Sequence, residues 1–190
     1  MIALILASSS SSRRELLALS GLEFTVVKSD VDEIIESGLT PQKIVMSLAR
    51  QKAQAVAAHY PQDVIIGCDT LVWIDGQILS KPADEESAFQ MLRLLCGNTH
   101  YSYTGVCLIS GNKERRFYEK TAIEFYPQSD AQIQAYVQTG ESMGKAGGYS
   151  IMEGAATFAR TVNGNFTSVL GLPLSRLLLE LNEFYPGLMD

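Results

Sequence analysis

The stretch "LILASSSSSRRELLALSG", Leu4–Gly21, passes from an apolar run through five serines and two arginines into a second apolar run. Ile2–Ala7 reads as a buried strand, and Arg13–Ser20 as a helix ended by Gly21. The serines stand too near the start of the chain to link two domains. They must instead form a tight polar junction between strand and helix. A helix start presents unsatisfied backbone N–H groups and the positive end of its dipole, and together these attract anions. Arg13 and Arg14 in the first turn run against the usual preference for acids there. A phosphate resolves that conflict, because arginine grips phosphate through paired hydrogen bonds. The junction reads as a phosphate holder.

Size and charge narrow the partners. The 190 residues can bury one sizeable core, or one core with a small lobe. Hydrophobic residues at 46% and charged residues at 19% are ordinary for a globular chain. No apolar run reaches the roughly 18 residues that span a bilayer, and Ile2–Ala7 is too short for a secretory signal. Fifteen basic against 21 acidic side chains give −6, which argues against broad binding to nucleic acid. Cys68, Cys96 and Cys107 are odd in number, widely spaced and set among apolar residues. They read as reduced core residues of a cytoplasmic protein. His59 and His100 are too few for a histidine-rich zinc site.

Patterning along the chain predicts a mixed α/β fold without repeats or linkers. Phe24–Lys28 reads as a strand leading into the acidic loop with Asp30, Asp32 and Glu33. Thr40-Pro41 opens a helix that reaches about His59, with the threonine hydroxyl as cap. Val64–Gly67 and Leu71–Ile74 read as two strands, and Asp75-Gly76 as a hairpin turn. A helix starts at Asp84 and ends near Cys96-Gly97. His100–Ser110 and Arg115–Tyr126 pair as a ribbon, Ser129–Thr139 is a helix, and Ala155–Val162 with Asn165–Val169 flank an Asn163-Gly164 hairpin. Pro173–Leu181 is the last helix. The hairpins exclude a purely parallel sheet.

Two charges, Lys52 and Asp69, stand where apolar residues are expected. On the helix from Pro41, the stripe Ile44, Val45, Leu48, Ala49, Val56 spans about 140° at 100° per residue, and Lys52 falls near its middle, at about 80°. Either its stem snorkels over the core to water, or its ammonium meets an anion in a polar cleft. Asp69 interrupts the apolar run Val64–Val72. Because aspartate is a poor strand former, it marks a strand end or bulge, as a turn residue or as a ligand-binding carboxylate. Lys81, fixed by Pro82, is ambiguous by itself. The acidic loop is either a solvated edge or, with Asp69, a source of oxygen ligands for a hard cation.

The ordered set "LILASSSSSRRELL", "SDVDE", "LARQKAQAVA", "IIGCDT", "LSKP", "GKAGGYSI" and "VLGLPL" resembles the Maf family of nucleoside triphosphate pyrophosphatases, also called septum-formation proteins. The resemblance implies one Maf-like domain over 1–190: an elongated mixed sheet flanked by helices, related to the inosine-triphosphate pyrophosphatases, with two lobes around a central nucleotide cleft. It places Ser8, Arg13, Glu33, Lys52, Asp69 and Lys81 on the family's active-site positions, with Asp69 as general base. The implied reaction splits a nucleoside triphosphate into monophosphate and pyrophosphate, with magnesium or manganese held by Glu33 and Asp69. Ser8, Arg13 and Arg14 are then the phosphate contacts. The partners expected are the triphosphate itself, no nucleic-acid polymer and no membrane, with a homodimer left open.

Specificity positions depart from the pattern. The dTTP/UTP branch carries arginine at the position of Ser12 and glutamine at that of Met152. The 7-methyl-GTP branch carries tryptophan, glutamine and glutamate at the positions of Ser12, Thr70 and Met152. Thr70 and "KAGGYSI" favour the first branch, whereas Ser12 and Met152 match neither. Glu153 lies one residue past the glutamate position and could substitute after a small backbone shift. Two other functions suit parts of the pattern. A nucleotidyltransferase would need a glycine-rich first loop, absent here, and a non-catalytic regulator of cell division gives Asp69 no task.

Overall fold

The computed structural model describes residues 2–188. Strand β1, Leu4–Ala7, is buried throughout. The Ser10 hydroxyl then accepts the Arg13 N–H at 3.3 Å and starts α1, Ser11–Ala18. After β2, Thr25–Val27, comes α2, Pro41–Ala57. Thr40 occupies the cap position, but its hydroxyl makes no capping bond. Pro41, with its φ already helical and no N–H to satisfy, opens the helix unaided.

β3 is one unbroken strand, Val64–Ile74, where two strands separated at Asp69 were expected. The carboxylate does not break the strand because a lysine reaches it, and side-chain surroundings outweigh strand propensity. Asp75 (φ 47°) and Gly76 (φ 81°) make the anticipated turn into β4, Gln77–Leu79. In α3, Glu85–Leu95, Asp84 and Ser87 cap one another reciprocally. β5, Thr99–Ser110, and β6, Lys113–Phe125, follow, then α4, Asp130–Val137, capped by Ser129 and Gln132. β7, Ala159–Asn163, does not lead into a hairpin. The Asn165 side chain instead accepts the Ser168 N–H at 3.1 Å and starts a short helix, α5, Phe166–Val169. The last helix, α6, is Leu174–Phe184.

The strands form one mixed sheet in the order β2-β1-β3-β5-β6-β7, with β4 on β3. β1 pairs in parallel with β2 and β3, whereas β3/β4 and β6/β7 are antiparallel. The chain divides into two compact units. One comprises Met1–Asp69, Thr104–Glu119 and Gly171–Asp190, the other Thr70–Tyr103 and Lys120–Leu170.

In the first unit, Ala49, Ala53 and Val56 of α2 pack on Ile5, Ala7, Ile65, Cys107 and Ile109. The helix lies so near the strands that a Cβ on Gly67 would stand 2.1 Å from the Ala49 carbonyl oxygen. On Gly105 it would stand 2.4 Å from the Val45 carbonyl. Cys68 and Cys107 are buried and Cys96 is half-buried, all three as free thiols, as the sequence suggested.

The second unit's core is aromatic. Phe125 meets His100 and Tyr149 edge-on at 4.8 and 5.0 Å between ring centres, and Phe158 meets Tyr136 at 5.4 Å. His100 is fully buried and shares a 2.9 Å hydrogen bond with the Tyr149 hydroxyl. Burial lowers its pKa to about 4, against a smaller opposing effect of the Asn98 backbone. The unfolded chain takes up this proton near pH 6.5 and the folded chain only near pH 4. Between those values acidification favours unfolding, with full stability retained above the window. Through this group the protein is expected to lose about 2 kcal/mol between pH 7 and pH 5. Urea unfolding at the two pH values should show that increment in the wild type. His100→Gln should lack it, and an equal slope in both proteins would refute the assignment.

Candidate active site

Three elements of the first unit bring charges to one point. α2 supplies Lys52, β3 supplies Asp69, and the loop between β2 and α2 supplies Glu33. The Lys52 ammonium donates to the Asp69 carboxylate at 2.5 Å and pairs with Glu33 at 2.9 Å. The lysine and aspartate side chains are only 13% and 12% exposed, whereas Glu33 is 45% exposed. The Lys52 ammonium meets carboxylates that belong to the chain itself. Asp69 is buried in mid-strand, neither at a strand end nor in a turn.

The serine loop is partly self-satisfied. The Ser8 hydroxyl accepts the Ser10 N–H at 3.1 Å, and the Ser10 hydroxyl takes the Arg13 N–H. Two of the backbone donors expected to face an anion are thus already engaged, because short hydroxyl side chains compete for nearby backbone groups. Ser8 is buried, Ser12 and Arg14 are exposed, and Arg13 is half-buried. Arg13 Nε donates to the Gly171 carbonyl at 2.8 Å, and the Cys68 thiol donates to the same oxygen at 3.0 Å. Burial raises the Cys68 pKa, so it stays a thiol and remains a donor. Neither partner was anticipated, although Gly171 lies inside the quoted "VLGLPL" and Cys68 inside "IIGCDT".

The remaining candidates lie in the second unit. Lys81 is exposed, and the Ser80 carbonyl just before it accepts the Gly147 N–H at 3.0 Å. A Cβ on Gly147 would stand 3.0 Å from a Val72 methyl, so "KAGG" packs its bare backbone closely. Thr70 is half-buried and Met152 is 63% exposed. The Glu153 carboxylate is bound to the Lys145 ammonium, which also donates to the Glu141 carbonyl at 2.7 Å. Glu153 therefore needs to leave an ion pair before it can contact anything else. The signal for this pair was lysine in "GKAGG" eight residues before the glutamate.

Among the described residues no group of three or more His, Cys, Asp or Glu side chains gathers into a self-sufficient metal site. The donor set at Lys52 nevertheless fits a hard cation that arrives with phosphates. Two carboxylates meet one ammonium, which leaves one negative charge over, and both contacts to a single nitrogen keep the carboxylates close together. Magnesium typically takes one or two carboxylates and completes its shell with phosphate oxygens and water.

The Maf-like protein family profile matches residues 3–184. The chain belongs to the Maf family. A protein of Bacillus mycoides (strain KBAB4) named dTTP/UTP pyrophosphatase is 45% identical over 181 residues, covering 95% of each chain. Another of the same name from Bacillus cytotoxicus is 45% identical over 183 residues, 96% of each. The solved Staphylococcus aureus Ham1 protein is a looser match, at 16% identity and a TM-score of 0.48 over 65% of this chain and 71% of that one. Among the described residues no helix is long and apolar enough to cross a membrane.

Proposed function

We propose that this Maf-family chain is a hydrolase that splits a nucleoside triphosphate into monophosphate and pyrophosphate, with dTTP and UTP among its substrates. Its cellular task is then the clearance of excess or non-standard nucleotides. The observation that carries the reading is the Lys52 ammonium held between Asp69 and Glu33 in a largely buried setting. The relatives of that activity, matching over nearly the whole chain, support it.

In this reading water attacks the α-phosphorus, and the bond from that phosphorus to the bridging oxygen breaks. Pyrophosphate departs with the bridging oxygen. Asp69 accepts the proton of the water, and Lys52 holds the Asp69 carboxylate in place. Arg13, Arg14 and Lys81 offset the charge on the triphosphate and on the leaving pyrophosphate. Ser8 shapes the loop against the phosphates. Burial divides the two carboxylates: with a cation bound, the more exposed Glu33 would hold it, and the enclosed Asp69 would take the proton. A bound magnesium or manganese ion supplies polarisation of the phosphoryl oxygens.

Ser12, Thr70 and Met152 form the base-reading set, and Glu153 is restrained by Lys145. Two hydroxyls and a thioether offer a base no charged or amide partner, which means modest selectivity, because strong rejection comes from buried polar groups left unpaired. A panel of UTP, dTTP, CTP, ATP and GTP, with magnesium or manganese, tests this. Pyrophosphate and monophosphate should form in equal amounts, with pyrimidine triphosphates among the good substrates, and chelation should abolish turnover. Release of single phosphates, or no turnover of any triphosphate, overturns the proposal. Undiminished activity after chelation removes the cation from it.

A further inference from the structure

Residues 28–40, between β2 and α2, lie outside any helix or strand yet carry Glu33 to the Lys52 ammonium. Burial does not hold them there, since Ile34 and Ile35 are 68% and 57% exposed. Such a segment needs a polar tether to keep one carboxylate in place. Gln51, the residue before Lys52 on α2, supplies one. Its side-chain oxygen accepts the Ile34 N–H at 2.9 Å, and its side-chain nitrogen donates to the Ile34 carbonyl at 2.8 Å. The nitrogen also lies 3.4 Å from the Ser47 hydroxyl, one turn back on the helix. Only one orientation of the amide satisfies both groups of Ile34, so its direction is fixed by its partners. Two successive helix residues thus grip two successive loop residues: Lys52 takes Glu33, and Gln51 takes Ile34.

We propose that Gln51 is a positioning residue that acts through Glu33. Its amide pairs with the Ile34 main chain as a neighbouring strand would and so sets where the Glu33 carboxylate stands relative to Lys52 and Asp69. Gln51 carries no charge and takes no part in the bond changes. The role rests on the pyrophosphatase reading for its effect on turnover. The tether itself rests only on the two hydrogen bonds.

The experiment compares wild type, Gln51→Met, Glu33→Gln and the double variant. Methionine is as long and as helix-compatible as glutamine but cannot pair with a backbone. Hydrogen exchange of the segment 29–38 is measured first, without substrate. Gln51→Met should exchange faster there while α2 exchanges as in the wild type. With UTP and magnesium, kcat/KM should fall about 10- to 100-fold, the range seen when partners of a liganding group are lost. In the Glu33→Gln background the same change should cost less than about twofold, because two residues acting through one carboxylate are not additive. Unchanged exchange of 29–38 overturns the tether. An equal fold-loss in both backgrounds overturns the link to Glu33. If the wild type releases no pyrophosphate from any triphosphate, the functional reading fails alone, and the exchange comparison still decides the tether.

Discussion

Lys52→Met is expected to abolish most turnover while leaving a folded protein. The ammonium is the shared partner of Asp69 and Glu33, so its loss frees both carboxylates at once. Removing charge-assisted contacts of this kind at a reacting centre costs about 2–4 kcal/mol in the transition state, or roughly 30- to 1000-fold in rate. Methionine suits the helix and its largely apolar face. It leaves Asp69 buried without its cation, and an unsatisfied buried group costs about 1–3 kcal/mol of stability. The two losses separate cleanly: thermal melting reads the second, and kcat at saturating UTP reads the first. A variant that melts lower but turns over normally would make Lys52 a structural counter-ion and remove it from the mechanism.

Gly67→Ala is expected to be the most destabilising single-methyl addition in the first unit. The new carbon would overlap the Ala49 carbonyl oxygen at 2.1 Å, and would stand 2.7 and 2.8 Å from the Ala53 Cβ and N. Two of these three atoms are backbone, so no side chain can rotate away and α2 must move as a body. Overpacking usually costs 1–3 kcal/mol, and a clash between main chains belongs at or above about 3 kcal/mol. For a chain of this size that is a fall of about 6–12 °C in Tm. The same movement draws Lys52 on α2 away from Asp69, two residues beyond Gly67 on β3, so kcat should drop at temperatures where the variant is still folded. A variant within about 0.5 kcal/mol of wild type would mean that α2 does not rest on the strand as closely as described.

Local chemistry makes most of this fold legible. Asp84 with Ser87, and Ser129 with Gln132, announce helix starts, and Asp75-Gly76 announces a tight turn. Two of the misread places share a cause. Asp69 looks like a strand breaker only until Lys52 comes within reach from a residue 17 positions earlier. Asn163-Gly164 looks like a hairpin until the next residue, Asn165, captures the Ser168 N–H and starts a helix. In both, a side chain's eventual partner outweighs its average preference. The site is legible in its charged residues, since a lysine on an apolar stripe and a carboxylate in an apolar strand are conspicuous. Its supports are not. Gln51 is unremarkable on a half-exposed helix face, and the Gly171 carbonyl carries no side-chain signature at all.

The bond from Arg13 to the Gly171 carbonyl joins residues 158 positions apart. A ribosome that has made β1, α1, α2 and β3 has already made Lys52, Asp69 and Glu33, yet Arg13 still lacks the oxygen that holds its Nε. Formation of that contact waits until Gly171 has been synthesised, well after all three of those residues. A growing chain that already carries Lys52, Asp69 and Glu33 therefore still lacks this restraint on the arginine.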